Sequence, residues 1–352
     1  MMNKEQFLHA LGKELAVLPA EEKEDVLGDL DEYFEEGLRD GKSEHEIAAS
    51  LGTPESIAAD ILSAYPEFTE TEQPAARTRK QHDDYEMIEI PGGRYTAAEI
   101  MTETGAVKAI PSADGVTRIE LIGNRKDLKF DADIHDEKLS ITLVGRRSIR
   151  SWFSFGSSPM FRMVIHLPKK LYESLLIRTE NGSISAEKQL ARQFAAHSDN
   201  GRITVRECAF RSAEAKTDNG RIEMDKMESD TLRCTTDNGR IQLARVRSGQ
   251  IWAETDNGRI TMENIEGNTT GKTDNGRIEL SVEQITHPID LKTDNGSVTV
   301  TMMAIPSDAS ISVRNVNGHV EIFGERKKEA IFGDGRIPVK LESENGRVMV
   351  KQ

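Results

Sequence analysis

The sequence predicts a mainly β protein, a single-stranded parallel β-helix (β-solenoid) of about 19 residues per coil behind a small all-α domain. Three observations predict it. Asn-Gly pairs recur at Asn181, Asn200, Asn219, Asn238, Asn257, Asn275, Asn295, Asn317 and Asn345, with steps of 19, 19, 19, 19, 18, 20, 22 and 28 residues. A period near twenty marks stacked units. Alignment on these pairs leaves apolar columns: Ile203, Ile222, Ile241, Ile260 and Ile278, then Val205, Met224, Leu243, Met262 and Leu280. Residues before about 65 instead carry helix start signals at helical spacing.

In order, Asn3 with Gln6 reads as a capping box, followed by Phe7, Leu8, Leu11, Leu15 and Leu18 on one helical face. Pro19 suits the first turn of a second helix carrying Val26, Leu27, Leu30, Phe34 and Leu38 and ending near Gly41. Ser43 with Glu46 opens a short third helix that Gly52 stops. Thr53-Pro54 starts a fourth, with Ile57, Ile61 and Leu62. Residues 1–65 are thus an acidic four-helix domain. Residues 66–84, rich in Pro, Thr, Glu, Arg and Gln, read as a flexible linker. Residues 85–170 are strand-like but irregular, clearest at Tyr85 to Ile90, Val116 to Ile122, Leu139 to Val144 and Phe161 to Leu167, and are expected to be degenerate coils or a β cap over an open sheet edge.

Residues 171–352 are the regular solenoid. Beyond the two columns above, Cys208, Met227, Val246, Ile265 and Ile285 form a third. Ala213, Leu232, Ile251, Thr269 and Ile289, then Ala215, Cys234, Ala253, Gly271 and Leu291, run on the return side. A hairpin meander also fits Asn-Gly turns. It gives identical turns no reason to share their flanking Thr-Asp and Arg-Ile, whereas stacking makes them neighbours whose amides can hydrogen-bond up a ladder. Asn and Gly suit such corners because both tolerate the left-handed backbone region. The lengthened step at Val316-Asn317 and the charged Glu325-Arg326-Lys327-Lys328-Glu329 suggest an edge-blocking insertion.

Residues 1–72 hold 19 acids and 5 bases, a balance of −14, while 85–352 hold 39 acids and 38 bases, a balance of −1. The last two short helices could be a helix-turn-helix, but phosphate binding needs Lys and Arg, so no nucleic-acid partner is expected. No run approaches the length of a membrane-spanning helix, and the start lacks a signal-peptide pattern. A cytoplasmic protein is expected, membrane-associated through a partner, with surface exposure left open. Cys208 and Cys234 sit in different columns and read as small buried hydrophobes, not a disulfide. Trp152, Phe153, Phe155 and Phe161, beside Arg146, Arg147 and Arg150, form either a partner- or lipid-contacting loop or, the favoured reading, a plug for the first coil's open end.

Asn3-Lys4-Glu5-Gln6-Phe7-Leu8, the Leu18-Pro19-Ala20-Glu21-Glu22 junction, Asp31-Glu32-Tyr33-Phe34 and Leu51-Gly52-Thr53-Pro54 together resemble the HAAS domain of bacterial signalling and envelope-associated proteins. Trp152-Phe153-Ser154-Phe155, Ile165-His166-Leu167-Pro168 and the serial Asn-Gly motifs resemble the bacterial "putative adhesin" family of β-solenoids. The pairing is similar to proteins of Gram-positive bacteria associated with cell-envelope stress. The resemblance implies a non-enzymatic interaction or scaffold protein in that signalling, with envelope or membrane-associated protein partners. An adhesin or glycan-binding solenoid is the alternative, and a polysaccharide lyase or hydrolase a further one.

The enzyme reading would rest on Asp199, Asp218, Asp237, Asp256 and Asp274 with Arg202, Arg221, Arg240, Arg259 and Arg277. Acid–base catalysis needs groups in differing environments, and five equivalent rows supply none. The two columns are expected to neutralise each other. The calcium-binding nonapeptide and zinc spacings are absent, so neither a metal nor a cofactor is expected. The candidate interaction surface is Trp152, Phe153 and Phe155 with the Arg column; the Asn residues are structural corners.

Overall fold

The computed structural model describes residues 2–16, 42–63, 78–82, 85–90, 95–123, 128–145 and 161–352, with residues 18, 23, 26–28, 30, 31, 34, 38 and 39. Two compact units result. In the helical unit, α1 spans Lys4–Glu14, α2 Glu44–Leu51 and α3 Pro54–Ser63. Both capping boxes form: Gln6 N donates to Asn3 Oδ1 (2.9 Å) and Asn3 N to Gln6 Oε1 (3.2 Å), with Ser43 and Glu46 doing the same ahead of α2. The described residues of the expected second helix are helical. Leu30 packs with Leu11, Leu15 and Leu18, and Phe34 with Phe7, their rings 5.8 Å apart.

The second unit is a parallel solenoid. β12 (Ile203–Thr217), β13 (Ile222–Thr236), β14 (Ile241–Thr255) and β15 (Ile260–Thr273) pair parallel, Ile203 to Ile222 to Ile241 to Ile260, as the columns require. Each coil has three stretches. Pairing in β12 skips Glu207 and Arg211, and the third corner is the Asn-Gly turn. All five apolar columns face inward, although Ile265 is only half-buried. Complete burial of one aliphatic residue stabilises by about 1.5–3 kcal/mol, so stacking many such rows is what holds the sheet closed.

Directly below β12 lie β10 (Ile184–Glu187), under its first stretch, and β11 (Leu190–Ser198), under the rest, and β9 (Leu171–Asn181) lies below β11. Above β15 lie β16 (Ile278–Val282) and β17 (Ile289–Thr293), then β18 (Val298–Met302).

Coil order departs from sequence order at both ends. β3 (Ala97–Thr104) and β4 (Ala106–Pro111) pair parallel with β9 and β10 on one side. On the other they pair with β7 (Lys138–Gly145) and β8 (Phe161–Leu167). At the far end, β22 (Ile337–Ser343) and β23 (Val348–Lys351) lie between β17–β18 and a terminal coil made of β19 (Ala309–Asn315) and β20 (Val320–Ile322). β7 with β8, and β19 with β20, therefore stand outside an otherwise sequential stack, each pair supplying the coil that covers its end.

Antiparallel strands guard the outer edges. β6 (Leu128–His135) covers β7, β5 (Thr117–Gly123) covers β8, and β2 (Tyr85–Ile90) then β1 (Thr78–His82) extend from β5. β21 (Glu329–Phe332) covers β19. Among the described residues of 85–170, β3 with β4 and β7 with β8 stack as coils, and β6, β5 and β2 lie antiparallel outside them. Residues 78–82, expected within the linker, are a strand. The charged segment at Glu325–Glu329 leads into the edge-covering strand, which matches its expected role.

Candidate functional site: the corner ridge

Each corner is organised by a buried hydroxyl. Thr217, Thr236, Thr255, Thr273 and Thr293 are buried, as are Ser198 and Ser343 at the same position. Thr236 Oγ1 accepts from Gly239 N (3.1 Å) and donates to Gly220 O of the preceding coil (3.2 Å). The same bond to the preceding glycine carbonyl runs from Thr217, Thr255, Thr273 and Thr293. Glycine is required there because a Cβ on Gly239 would overlap the Gly220 carbonyl oxygen. The hydroxyl column was missed in the sequence reading; its signal was the regular placing of Thr or Ser two residues before Asn.

Outside this column the Asn side chains form one continuous ladder. Nδ2 of Asn200 donates to Oδ1 of Asn181 (2.8 Å), and the pattern continues through Asn219, Asn238, Asn257, Asn275 and Asn295. It then passes to Asn345 and only afterwards to Asn317. The expected amide ladder is present, with its last two members exchanged because the last two coils are.

Arg202, Arg221, Arg240, Arg259 and Arg277 are brought together as a stacked column beside the ladder, exposed except for the half-buried Arg221. Their expected neutralisation by the Asp column is not what forms. Arg221 and Arg277 pair instead with Glu223 and Glu279, two residues along the same strand (3.1 and 3.3 Å). Alternation puts residues i and i+2 on one face, so the nearer carboxylate wins. The Asp residues contribute through the backbone: Asp218 O accepts from both Asp237 N and Asn238 N. Trp152, Phe153 and Phe155, with Arg146, Arg147 and Arg150, lie outside the described residues.

A second corner carries a charged surface that sequence reasoning did not single out. Lys188, Glu207, Lys226, Arg245 and Asn264 repeat at 19 residues with φ between 52° and 54°. Glu207 pairs with Lys226 (2.9 Å) and Lys188 (3.8 Å), and Arg245 pairs with Asp225. The hydrogen bond from Lys226, with the charges of Lys226 and Lys188, lowers the Glu207 carboxyl below its ordinary value. Beside this corner runs a groove of about 520 Å³ with Cys208, Met227 and Val246 in its floor and Arg247 and Glu266 among its walls. Burial pushes the Cys208 thiol up to about 11 and the Cys234 thiol higher still. Both cysteines are free, as expected from their separate columns.

Among the described residues, no group of three or more His, Cys, Asp or Glu is placed to hold a metal ion, and no helix is long and apolar enough to cross a membrane. The family model for Toastrack DUF4097 matches residues 95–351, and the HAAS model matches residues 6–60. Several solved structures are similar to this protein, three of them as follows. A putative lipid binding protein from Parabacteroides distasonis is 12% identical (TM-score 0.47), the match spanning 76% of this protein and 97% of that one. A putative adhesin from Bacteroides fragilis is 12% identical (TM-score 0.39), spanning 77% and 97%. One from Parabacteroides merdae is 13% identical (TM-score 0.36), spanning 76% and 97%. No curated protein matches the sequence.

Proposed function

The chain belongs to the Toastrack DUF4097 family and carries a HAAS domain ahead of it, and from that premise we propose that it is a non-catalytic scaffold binding envelope-associated protein partners in bacterial cell-envelope stress signalling. The observation that carries this reading is the equivalence of the coils. At the Asn-Gly corners the same residue types meet the same partners row after row, hydroxyl to glycine carbonyl and Asn to Asn, and each row from 202 to 277 presents an arginine beside them, so the solenoid offers an extended array of contacts. Catalysis by acid and base needs groups whose environments push their pKa values apart. The shifted carboxylates of the solenoid lie in ion pairs such as Glu207–Lys226 and Glu266–Arg247, and the shifted thiols are buried. In this proposal the acidic helical domain, with its −14 balance over residues 1–72, docks a basic partner segment, and the Arg column supplies a second contact.

The test is in-cell crosslinking of the full-length protein followed by mass spectrometry, with the wild type beside a variant carrying Arg202→Glu, Arg240→Glu and Arg259→Glu. Envelope or membrane proteins captured by the wild type and lost in the variant support the proposal. Capture of only cytosolic, non-membrane proteins defeats it. The groove over the second corner favours one alternative, a linear glycan lying across several coils. Retention of wall polysaccharide by the purified protein, abolished by filling that groove with Ala209→Trp, would select it.

A further inference from the structure

Nine Asn-Gly pairs ought to be nine sites of spontaneous deamidation, since a following glycine leaves the backbone nitrogen free to attack the asparagine carboxamide. The fold treats them unequally. Asn200, Asn219, Asn238, Asn257, Asn275, Asn295 and Asn345 each donate to one neighbour and accept from another, so both ends of the carboxamide are held. Asn181 accepts only, but its glycine, Gly182, is buried against Gly105. The amides of Gly201, Gly220 and Gly239 are bound by the hydroxyls of Ser198, Thr217 and Thr236.

Asn317 alone combines a single ladder bond with an exposed glycine. It ends the ladder, its single bond to Asn345 is the longest at 3.1 Å, and nothing donates to its Oδ1 among the described residues. Gly318 is exposed, whereas the other eight corner glycines are buried or half-buried. The hydroxyl that would hold the Gly318 amide is replaced by Asn315, whose Nδ2 donates instead to Ser343 O and Gly346 O.

We propose that Asn317-Gly318 is a self-modification site, the one corner of the solenoid that deamidates in the native protein. The Gly318 amide gives its proton to solvent, and its nitrogen lone pair forms a bond to Asn317 Cγ. The bond from Cγ to Nδ2 breaks, and that nitrogen leaves as ammonia with a proton from solvent. Water then opens the resulting succinimide at either of its two bonds to the ring nitrogen, giving aspartate or isoaspartate. The product has lost the donor that reached Asn345 and places a carboxylate against its carbonyl oxygen. Modification therefore loosens the coil formed by β19 and β20 and spares the rest of the stack.

The experiment incubates the full-length protein in mildly alkaline buffer and maps all nine peptides by mass spectrometry, with a parallel sample in strong denaturant. Freeing an internal Asn breaks one further ladder bond, and at Asn200, Asn219 and Asn238 a second one at the glycine amide, which places Asn317 roughly five- to thirtyfold ahead in the native protein. In denaturant the nine rates should converge to within a few-fold. Asn315→Thr, which restores the missing acceptor, should slow Asn317 toward the internal corners. Equal rates in the native protein, or the same lead for Asn317 in denaturant, would overturn the proposal.

Discussion

Replacing Thr236 with valine keeps the side chain's shape and removes its hydroxyl, which isolates the contribution of the corner bonds. Thr236 is 1% exposed, accepts from Gly239 N and donates to Gly220 O. Valine leaves that N–H and that carbonyl without their hydroxyl partner. An orphaned buried polar group costs about 1–3 kcal/mol. The added methyl returns about 0.8 kcal/mol, so the two orphaned groups leave a net loss of about 1–5 kcal/mol, about 3 at the centre of that range. Serine keeps both bonds and loses only a methyl, about 1 kcal/mol, and serine already stands at 198 and 343. Guanidinium denaturation followed by far-UV circular dichroism should therefore rank wild type above Thr236→Ser above Thr236→Val. Hydrogen exchange should show the Gly239 amide deprotected only in the valine variant. Valine is the better strand former, so a valine variant as stable as the serine one, with Gly239 still protected, would refute the reasoning.

Other outcomes follow from the same geometry. Lys188 has φ 53°, a region that costs a residue with a Cβ about 1–2 kcal/mol, and its ion pairs are exposed. Lys188→Gly should leave the protein unchanged or stabilise it by up to about 1 kcal/mol, read as a raised thermal midpoint. Truncation after Arg347 removes Val348 and Val350, buried at 0% and 1%, from between two coils. That should cost about 3–6 kcal/mol locally and deprotect both β18 and β20 in hydrogen exchange, where an ordinary terminus would fray alone. The Cys208 thiol is raised from 9.0 to about 11, so the unfolded protein loses that proton first. Its contribution is complete below about pH 9 and is lost as pH rises through about 11. Unfolding free energy should fall across that window, and less steeply in Cys208→Ala. An unchanged slope would contradict the assignment.

The stack was legible because its columns are local: Ile203, Ile222 and Ile241 recur in phase, and alternation fixes which face they take. The helix caps were legible for the same reason, since Asn3 with Gln6 and Ser43 with Glu46 act within one turn. Coil order was not. The 28-residue step before Asn345 marks an irregularity, but nothing local says that β22 pairs with both β17 and β19. Pairing partners are chosen by the whole stack. β3 and β4 were missed because only Ile100 and Val107 among their inward residues are large aliphatics, while Ala98, Thr102 and Ala109 fill the other inward positions. The ion partners of the Arg column were not legible, because Asp and Glu are equally acidic in a sequence while Glu223 and Glu279, two residues along, are the carboxylates that reach Arg221 and Arg277.

The central claim is that the repeated surface binds as an array. It is tested most directly by reversing Arg202, Arg221, Arg240, Arg259 and Arg277 to glutamate one at a time and in growing combinations, and quantifying in-cell crosslinked partner at each step. The account predicts a graded decline as rows are removed, with every single variant close to wild type. Complete loss from one row, with the other four indifferent, would reveal a single differentiated site and contradict it.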